Sequence, residues 1–136
     1  MTANKKKWLL VAVALLPIVV AGIRLCLVES YEYALHAHAK RDFAAALPFV
    51  YANAFLNDSA ACGLLGTMYL FGQGVEKDGP QAEYWLTKAA NGNSVDAESL
   101  LGEMYATGQG VPIDGDKAKA WLTKAAAAGD VHAQAL

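Results

Sequence analysis

The sequence predicts an all-α protein in which an N-terminal membrane helix leads into a short α/α solenoid of helix-turn-helix repeats. Three observations carry this expectation. An apolar run fills most of the first 28 residues, and a self-similar unit recurs at a spacing of 36 residues. Within each unit the apolar residues fall at helical spacing, punctuated by glycines and capping residues. With 136 residues the chain is sized for a single domain.

Residues 1–28 come first. Lys5, Lys6 and Lys7 precede an apolar stretch from Trp8 to Ile23; Arg24 interrupts it, and Leu25 to Val28 resume it. A membrane span needs about 20 apolar residues. Trp8 to Val28 reach that length with Arg24 near one end, where a long stem carries the charge to the headgroups. Pro17 is tolerated in such a helix. The competing reading is a cleaved signal peptide, with a basic start, a short apolar centre and a small-residue site at Val19-Val20-Ala21 before Gly22. The anchor reading is favoured. A lipoprotein signal is rejected, because Leu25 and not a small residue precedes Cys26. In both surviving readings the lysines stay on the cytoplasmic side and the remainder is exported. The expected location is therefore the inner (cytoplasmic) membrane, single pass, with the solenoid on the periplasmic or extracellular side. After cleavage it would instead be a secreted or periplasmic protein.

Charge is divided unevenly. All 13 acidic residues lie from Glu29 onward, whereas four of the 11 basic residues lie in the leader, so the exported part carries a net charge of −6. An acidic surface without a basic stripe repels phosphate backbones and excludes nucleic acid as a partner. Two cysteines make no disulfide framework. Cys26 sits in the apolar run, and Cys62, beside Ala60 and Ala61, reads as a small apolar filler.

The repeat organises the rest. The 36 residues from Ala61 and the 36 from Ala97 are identical at 20 positions. A fixed period in this range signifies stacked supersecondary units, each burying its apolar face against its neighbours. The first helix of the unit carries Ala61, Leu64, Leu65, Met68 and Tyr69, repeated as Ala97, Leu100, Leu101, Met104 and Tyr105. This is the spacing of one buried helical face. Asp58, Ser94 and Asp130 recur in phase as N-caps. Gly66 and Gly102 lie mid-helix, where Gly costs about 1 kcal/mol relative to Ala; close approach of a neighbouring helix accounts for the repeated cost. The second helix carries Ala82, Trp85, Leu86, Ala89 and Ala90, mirrored by Ala118, Trp121, Leu122, Ala125 and Ala126. Pro80 suits its first turn, and Gly92 and Gly129 suit helix ends.

Residues 29–58 form a degenerate earlier unit, residues 59–94 and 95–130 two full repeats, and residues 131–136 the start of a truncated or capping helix. In the degenerate unit Asp42, Ala46, Phe49 and Ala54 fall under Asp78, Ala82, Trp85 and Ala90. It lacks a glycine elbow, so a shorter turn is expected, and Pro48 predicts a kink or a displaced start of its second helix.

The shared pattern Ala-x-x-Leu-Leu-Gly-x-Met-Tyr-x-x-Gly-x-Gly-Val-x-x-Asp-x-x-x-Ala-x-x-Trp-Leu-x-Lys-Ala-Ala resembles the Sel-one-like repeat (SLR), a relative of the tetratricopeptide repeat. The resemblance implies an α/α superhelix used for protein–protein binding. It also implies a bacterial setting in which many members are exported or membrane-tethered.

The chemistry that the residues offer agrees with a non-catalytic protein. Gly72-Gln73-Gly74 is followed by Val75 and Glu76, not by the Gly-Lys-Ser/Thr of a phosphate loop, and a helix rather than a strand precedes it. Its glycines therefore read as an elbow that permits backbone angles a Cβ would forbid, held by Asp78 and, one repeat on, by Asp114. His36 and His38 point about 200° apart on a helix and read as surface residues; His132 is isolated, and the grouped ligands of a zinc site are missing. Glu98 with Glu103 and Asp114 with Asp116 read as solvated faces, and no Gly-x-Ser-x-Gly elbow occurs. No catalytic, cofactor-binding or metal residue is assigned. Trp85 and Trp121 read as core. Partner-binding positions are expected on the first helices outside the buried stripe: Thr67, Leu70 and Phe71, and, one repeat on, Glu103, Ala106 and Thr107.

The expected function is a protein–protein interaction scaffold, a membrane-tethered adaptor or regulator in the cell envelope, with residues 8–28 in the membrane. Two alternatives stay open. One is an exported cell-wall or carbohydrate-binding module using Phe71, Tyr84 or Tyr51. The other is a structural homo-oligomer built through the membrane helix and the open repeat edge.

Overall fold

A computed structural model of the protein describes residue 29 and residues 31–129. The expected span over residues 8–28, the cap Asp130 and residues 131–136 lie outside the described residues. Among the described residues no strand occurs, and no helix is long and apolar enough to cross a membrane. Among the described residues six helices follow one another: α1 (residues 31–39), α2 (Phe43–Phe55), α3 (Ser59–Phe71), α4 (Gly79–Asn91), α5 (Val95–Thr107) and α6 (Gly115–Ala127). Every helix from α2 to α6 has 13 residues, and the starts keep the 36-residue phase.

The caps explain that regularity. Asp58 accepts from the Ala61 N–H at 2.8 Å and Ser94 from the Ala97 N–H at 3.4 Å, each satisfying a donor that has no partner within its helix. Asp78 and Asp114 do more than hold the elbow: they are the N-caps of α4 and α6, accepting from Gln81 at 2.9 Å and from Lys117 at 3.0 Å. Asp42 caps α2 in the same way. Pro80 sits in the first turn of α4.

Each elbow places two glycines in the left-handed region: Gly72 and Gly74 at φ 71° and 74°, Gly108 and Gly110 at 74° and 77°. The elbow closes when the Asp78 N–H donates back to the Tyr69 carbonyl at 3.1 Å and the Asp114 N–H to that of Tyr105 at 3.0 Å. The degenerate unit turns differently. Arg41 takes the left-handed conformation (φ 62°). Its N–H donates to the His38 carbonyl, and the Asp42 N–H donates to that of Ala37, both at 2.9 Å. This is a Schellman end, and the connection is indeed shorter, residues 40–42 against residues 72–78. Pro48 does not displace the start of α2, which begins at Phe43 under its Asp42 cap. The bond that Pro48 cannot donate would go to Ala44, an exposed residue whose carbonyl water can serve.

Within a repeat α3 packs on α4 and α5 on α6; between repeats α2 meets α3 and α4 meets α5. The core is built of alanines and a few larger groups, Val50, Leu65, Met68, Leu86, Leu101 and Met104 among them. The mid-helix glycines are where the helices touch. A Cβ on Gly66 would lie 2.7 Å from Leu86 Cγ, and one on Gly102 2.5 Å from Leu122 Cγ. Repeats are joined at a second glycine contact, where the N-terminus of each second helix meets the next elbow. A Cβ on Gly74 would lie 2.6 Å from Phe43 Cβ, and one on Gly79 would lie 1.7 Å from the Gly110 carbonyl oxygen.

Glu98 corrects the expectation of a solvated face. It is buried and pairs with Lys124 Nζ at 2.7 Å, tying α5 to α6. Cys62 holds the equivalent place in the first repeat, also buried, with its Sγ–H directed at the Ala54 carbonyl; burial pushes its thiol pKa up. Lys124→Met is expected to destabilise the protein by about 1–3 kcal/mol in urea unfolding, because it strands a buried carboxylate without its cation. The equivalent Lys88→Met is expected to cost less, since no carboxylate faces it from position 62.

Candidate protein-binding groove

The first helices α1, α3 and α5 line one side of the array, and an open cleft of about 290 Å³ runs across them. Tyr31 and Leu35 come from α1, Leu64 and Thr67 from α3, and Asp96 and Leu100 from α5, with Leu86 of α4 reaching the floor. The local sequence opens this cleft with small residues: Ala60 and Gly63 on α3 and Ala97 on α5 leave the space that the leucines wall. Tyr31, Leu35, Leu64 and Leu100 make the walls apolar. Acidic groups stand around them. Burial first, then the carboxylates of Asp58 and Glu32, raises the pKa of the Tyr31 hydroxyl.

The sequence-predicted positions separate. Thr67 lines the cleft, half-buried, and its hydroxyl donates to the Gly63 carbonyl at 2.8 Å. Thr107 is exposed and donates likewise to Glu103 at 2.7 Å. Both hydroxyls spend their proton on their own helix and offer a ligand only acceptor lone pairs. Phe71 is 44 % exposed at the last residue of α3, and Glu103 is exposed on α5. Neither lines the cleft. Leu70 is a correction: it is 5 % exposed and belongs to the core. Stacking is the reason, since a Cβ on Gly110 would come within 3.9 Å of Leu70 Cδ1, against the next elbow. Ala106, its counterpart one repeat on, is exposed.

Sequence reasoning missed Tyr31, Leu35, Leu64 and Leu100 as groove residues. For the last two the signal was present: they recur 36 apart at the edge of the apolar stripe, and they are only half-buried.

The other singled-out residues serve the fold. His36 is exposed, but His38 is half-buried, with Nε2–H donating to Gln73 Oε1 at 2.8 Å and its ring edge-on to Phe43 at 5.1 Å. Gln73, the residue between the elbow glycines, thus ties the elbow to α1. Trp85 and Trp121, expected in the core, are half-buried, with Lys88 and Lys124 lying 5.1 Å and 5.3 Å over their rings. The i,i+3 spacing places cation and ring on one helical face. Tyr105 donates to Glu83 across helices, and burial foremost, then that carboxylate, pushes its pKa up to about 12. Tyr84 and Tyr51 are exposed on second helices, away from the cleft. Among the described residues no group of three or more His, Cys, Asp or Glu could hold a metal ion.

The model of the Sel1 repeat family matches residues 59–94 and 95–130, more than half of the chain. No curated protein matches. Among solved structures the chain is similar to a Sel1 repeat protein from Oxalobacter formigenes, with 38% identity and a TM-score of 0.69 over 77% of this chain and 32% of that one. It is similar to c5321, a protective antigen of uropathogenic Escherichia coli strains displaying an SLR fold, with 26% identity and a TM-score of 0.75 over 83% and 25%. Helicobacter pylori cysteine rich protein B shares the fold, with 23% identity and a TM-score of 0.64 over 80% of this chain and 92% of that one. The chain thus spans a third or less of the first two proteins it resembles.

Proposed function

The chain belongs to the Sel1 repeat family, and we propose that it is a membrane-tethered adaptor or regulator of the cell envelope that holds another protein along its first-helix groove. Sel1-repeat proteins are generally protein-interaction scaffolds. The groove is the observation that carries the reading for this chain: Tyr31, Leu35, Leu64 and Leu100 wall a cleft that three successive units share. Asp96 in the cleft and Glu103 beyond it favour a partner segment that presents apolar anchors with basic residues beside them, docked in the helix-in-groove manner. The tether rests on the apolar run Trp8–Val28 behind Lys5, Lys6 and Lys7.

Tagged full-length protein, purified from its own cells after crosslinking, tests the groove. A partner recovered in stoichiometric amount should be lost with Leu35→Glu, a change at an exposed wall residue that leaves the core intact. Equal recovery with Leu35→Glu would overturn the groove reading. Carbonate extraction tests the tether: the protein should stay in the membrane pellet, and a soluble mature chain starting near Gly22 would contradict it. A second reading, an exported wall-binding module, finds support in Tyr84, which is 55 % exposed and edge-on to Trp85 at 5.0 Å. Pelleting with purified wall material that Tyr84→Ala abolishes would favour it.

A further inference from the structure

Helix α2 breaks the pattern of its counterparts. Its residues Phe43–Phe55 include no charged side chain, whereas α4 carries Glu83 and Lys88 and α6 carries Asp116, Lys117, Lys119 and Lys124. At the outward repeat positions α4 places Thr87, Lys88 and Asn91, and α6 places Thr123, Lys124 and Ala127. In phase with them α2 places Tyr51, Ala52 and Phe55. A helix apolar on every side is ordinarily buried. Here Phe55 is 81 % exposed and the following Leu56 57 % exposed. They border an open apolar groove shared with Pro48, Tyr51, Ala52 and Trp85.

The register of the α1–α2 hairpin places this face at the end of the unit that the apolar run enters. His38 lies against Phe43 and Tyr33 against Phe49, at centroid distances of 5.1 Å and 5.0 Å, so the two helices run antiparallel. Passing from Phe49 to Phe55 therefore moves back along the α1 axis by about 9 Å, at 1.5 Å per residue. That brings Phe55 level with a point about six residues before Tyr33 on that axis. The apolar run of the sequence ends at Val28, five residues before Tyr33. The elbows, by contrast, meet the N-terminal ends of the second helices, at Phe43 and Gly79, and so lie at the opposite end from Phe55.

We propose that Tyr51, Phe55 and Leu56 at the C-terminal end of α2 insert into the headgroup boundary of the bilayer that holds residues 8–28, docking the first unit of the solenoid on the membrane surface. The proposal rests on the tethered reading above. Tyrosine concentrates at that boundary, and binding there scales with the apolar area buried in it. The loss of charge is confined to α2, the second helix of the unit next to the apolar run. With the C-terminal end of α2 held at the bilayer, the elbows point away from it.

Photo-crosslinking of the full chain in vesicles of phosphatidylethanolamine and phosphatidylglycerol tests this. A benzophenone side chain replaces Phe55, or Ile113 of the second elbow (71 % exposed), or Leu15 within the apolar run. Lipid adduct at position 55 is expected to exceed that at position 113 about tenfold, since interfacial affinity scales with the apolar area buried. Lipid adduct at position 15 but none at position 55 overturns the docking and leaves the tether standing. An adduct from position 55 to a second copy of the chain overturns it too, in favour of a dimer. Absence of lipid adduct at position 15 removes the tether and the docking together. Phe55 and Ile113 are both exposed, so these two variants should retain the wild-type unfolding midpoint.

Discussion

Gly79→Ala is expected to destabilise the protein by about 3 kcal/mol or more, while Gly115→Ala, the same change at the same repeat position, is expected to be neutral or stabilising by about 0.4–1 kcal/mol. Both glycines open a second helix, α4 or α6, and neither has a positive φ, so backbone conformation does not demand glycine at either place. What differs is the neighbour. A methyl on Gly79 would sit 1.7 Å from the Gly110 carbonyl oxygen and 2.5 Å from its Cα, and backbone cannot step aside as a side chain would. A methyl on Gly115 meets nothing within 4 Å. The α4 start would have to separate from the second elbow, loosening the junction between the repeats. Urea unfolding of the two variants, compared at equal slope, measures the contrast. Equal effects at the two positions would mean that the elbow does not seat on the preceding second helix.

Leu86→Ala is expected to cost about 2–5 kcal/mol, the range for truncating a fully buried leucine. Leu86 is 0 % exposed and fills the space over Gly66. Gly66→Ala alone is expected to cost about 1–3 kcal/mol by overpacking. Its Cβ would press within 2.7 Å of Leu86 Cγ and 3.0 Å of the Leu86 backbone nitrogen. Combined, the two changes are expected to cost less than their sum by about 1 kcal/mol, within the coupling range of touching residues. The added methyl then occupies room that the leucine has vacated, and the remaining cost comes from the backbone nitrogen and from the lost apolar burial. A double-mutant cycle in urea gives the coupling directly, and strict additivity would contradict the packing of α3 on α4.

The repeat made most of the fold legible. Asp58 and Ser94, the paired mid-helix glycines and the two elbows each occur twice at one spacing, so each position could be interpreted with its copy as a check. Residues whose role depends on a neighbouring unit were harder. A periodic stripe encodes one buried face, but a helix inside a solenoid is contacted from two sides. Leu70 was therefore placed outside, although the next elbow buries it. Glu98 was assigned to a solvated face because its cation, Lys124, comes from α6 and lies outside its own helix. Trp85 and Trp121 were placed too deep, because the lysines three residues on cover them from the solvent side. Half of the groove was hidden because Tyr31 and Leu35 belong to the degenerate unit, which has no exact copy to align with. Thr67 was found because it lies beside the stripe in a full repeat.

The two sides of the array differ in chemistry. The first-helix side carries a cleft with apolar walls and acidic residues around it, suited to a protein segment. The second-helix side changes along the chain, from the uncharged α2 to the lysine-bearing α4 and α6.

Site-specific photo-crosslinking in intact cells tests the central claim most directly, with the probe placed in turn at Leu35 and Asp96 in the groove and at Tyr84 and Ala120 on the second helices. The groove reading predicts an adduct to one and the same protein from positions 35 and 96 and none from positions 84 and 120. Adducts to a protein from positions 84 and 120 alone, or no protein adduct from any of the four, would contradict it.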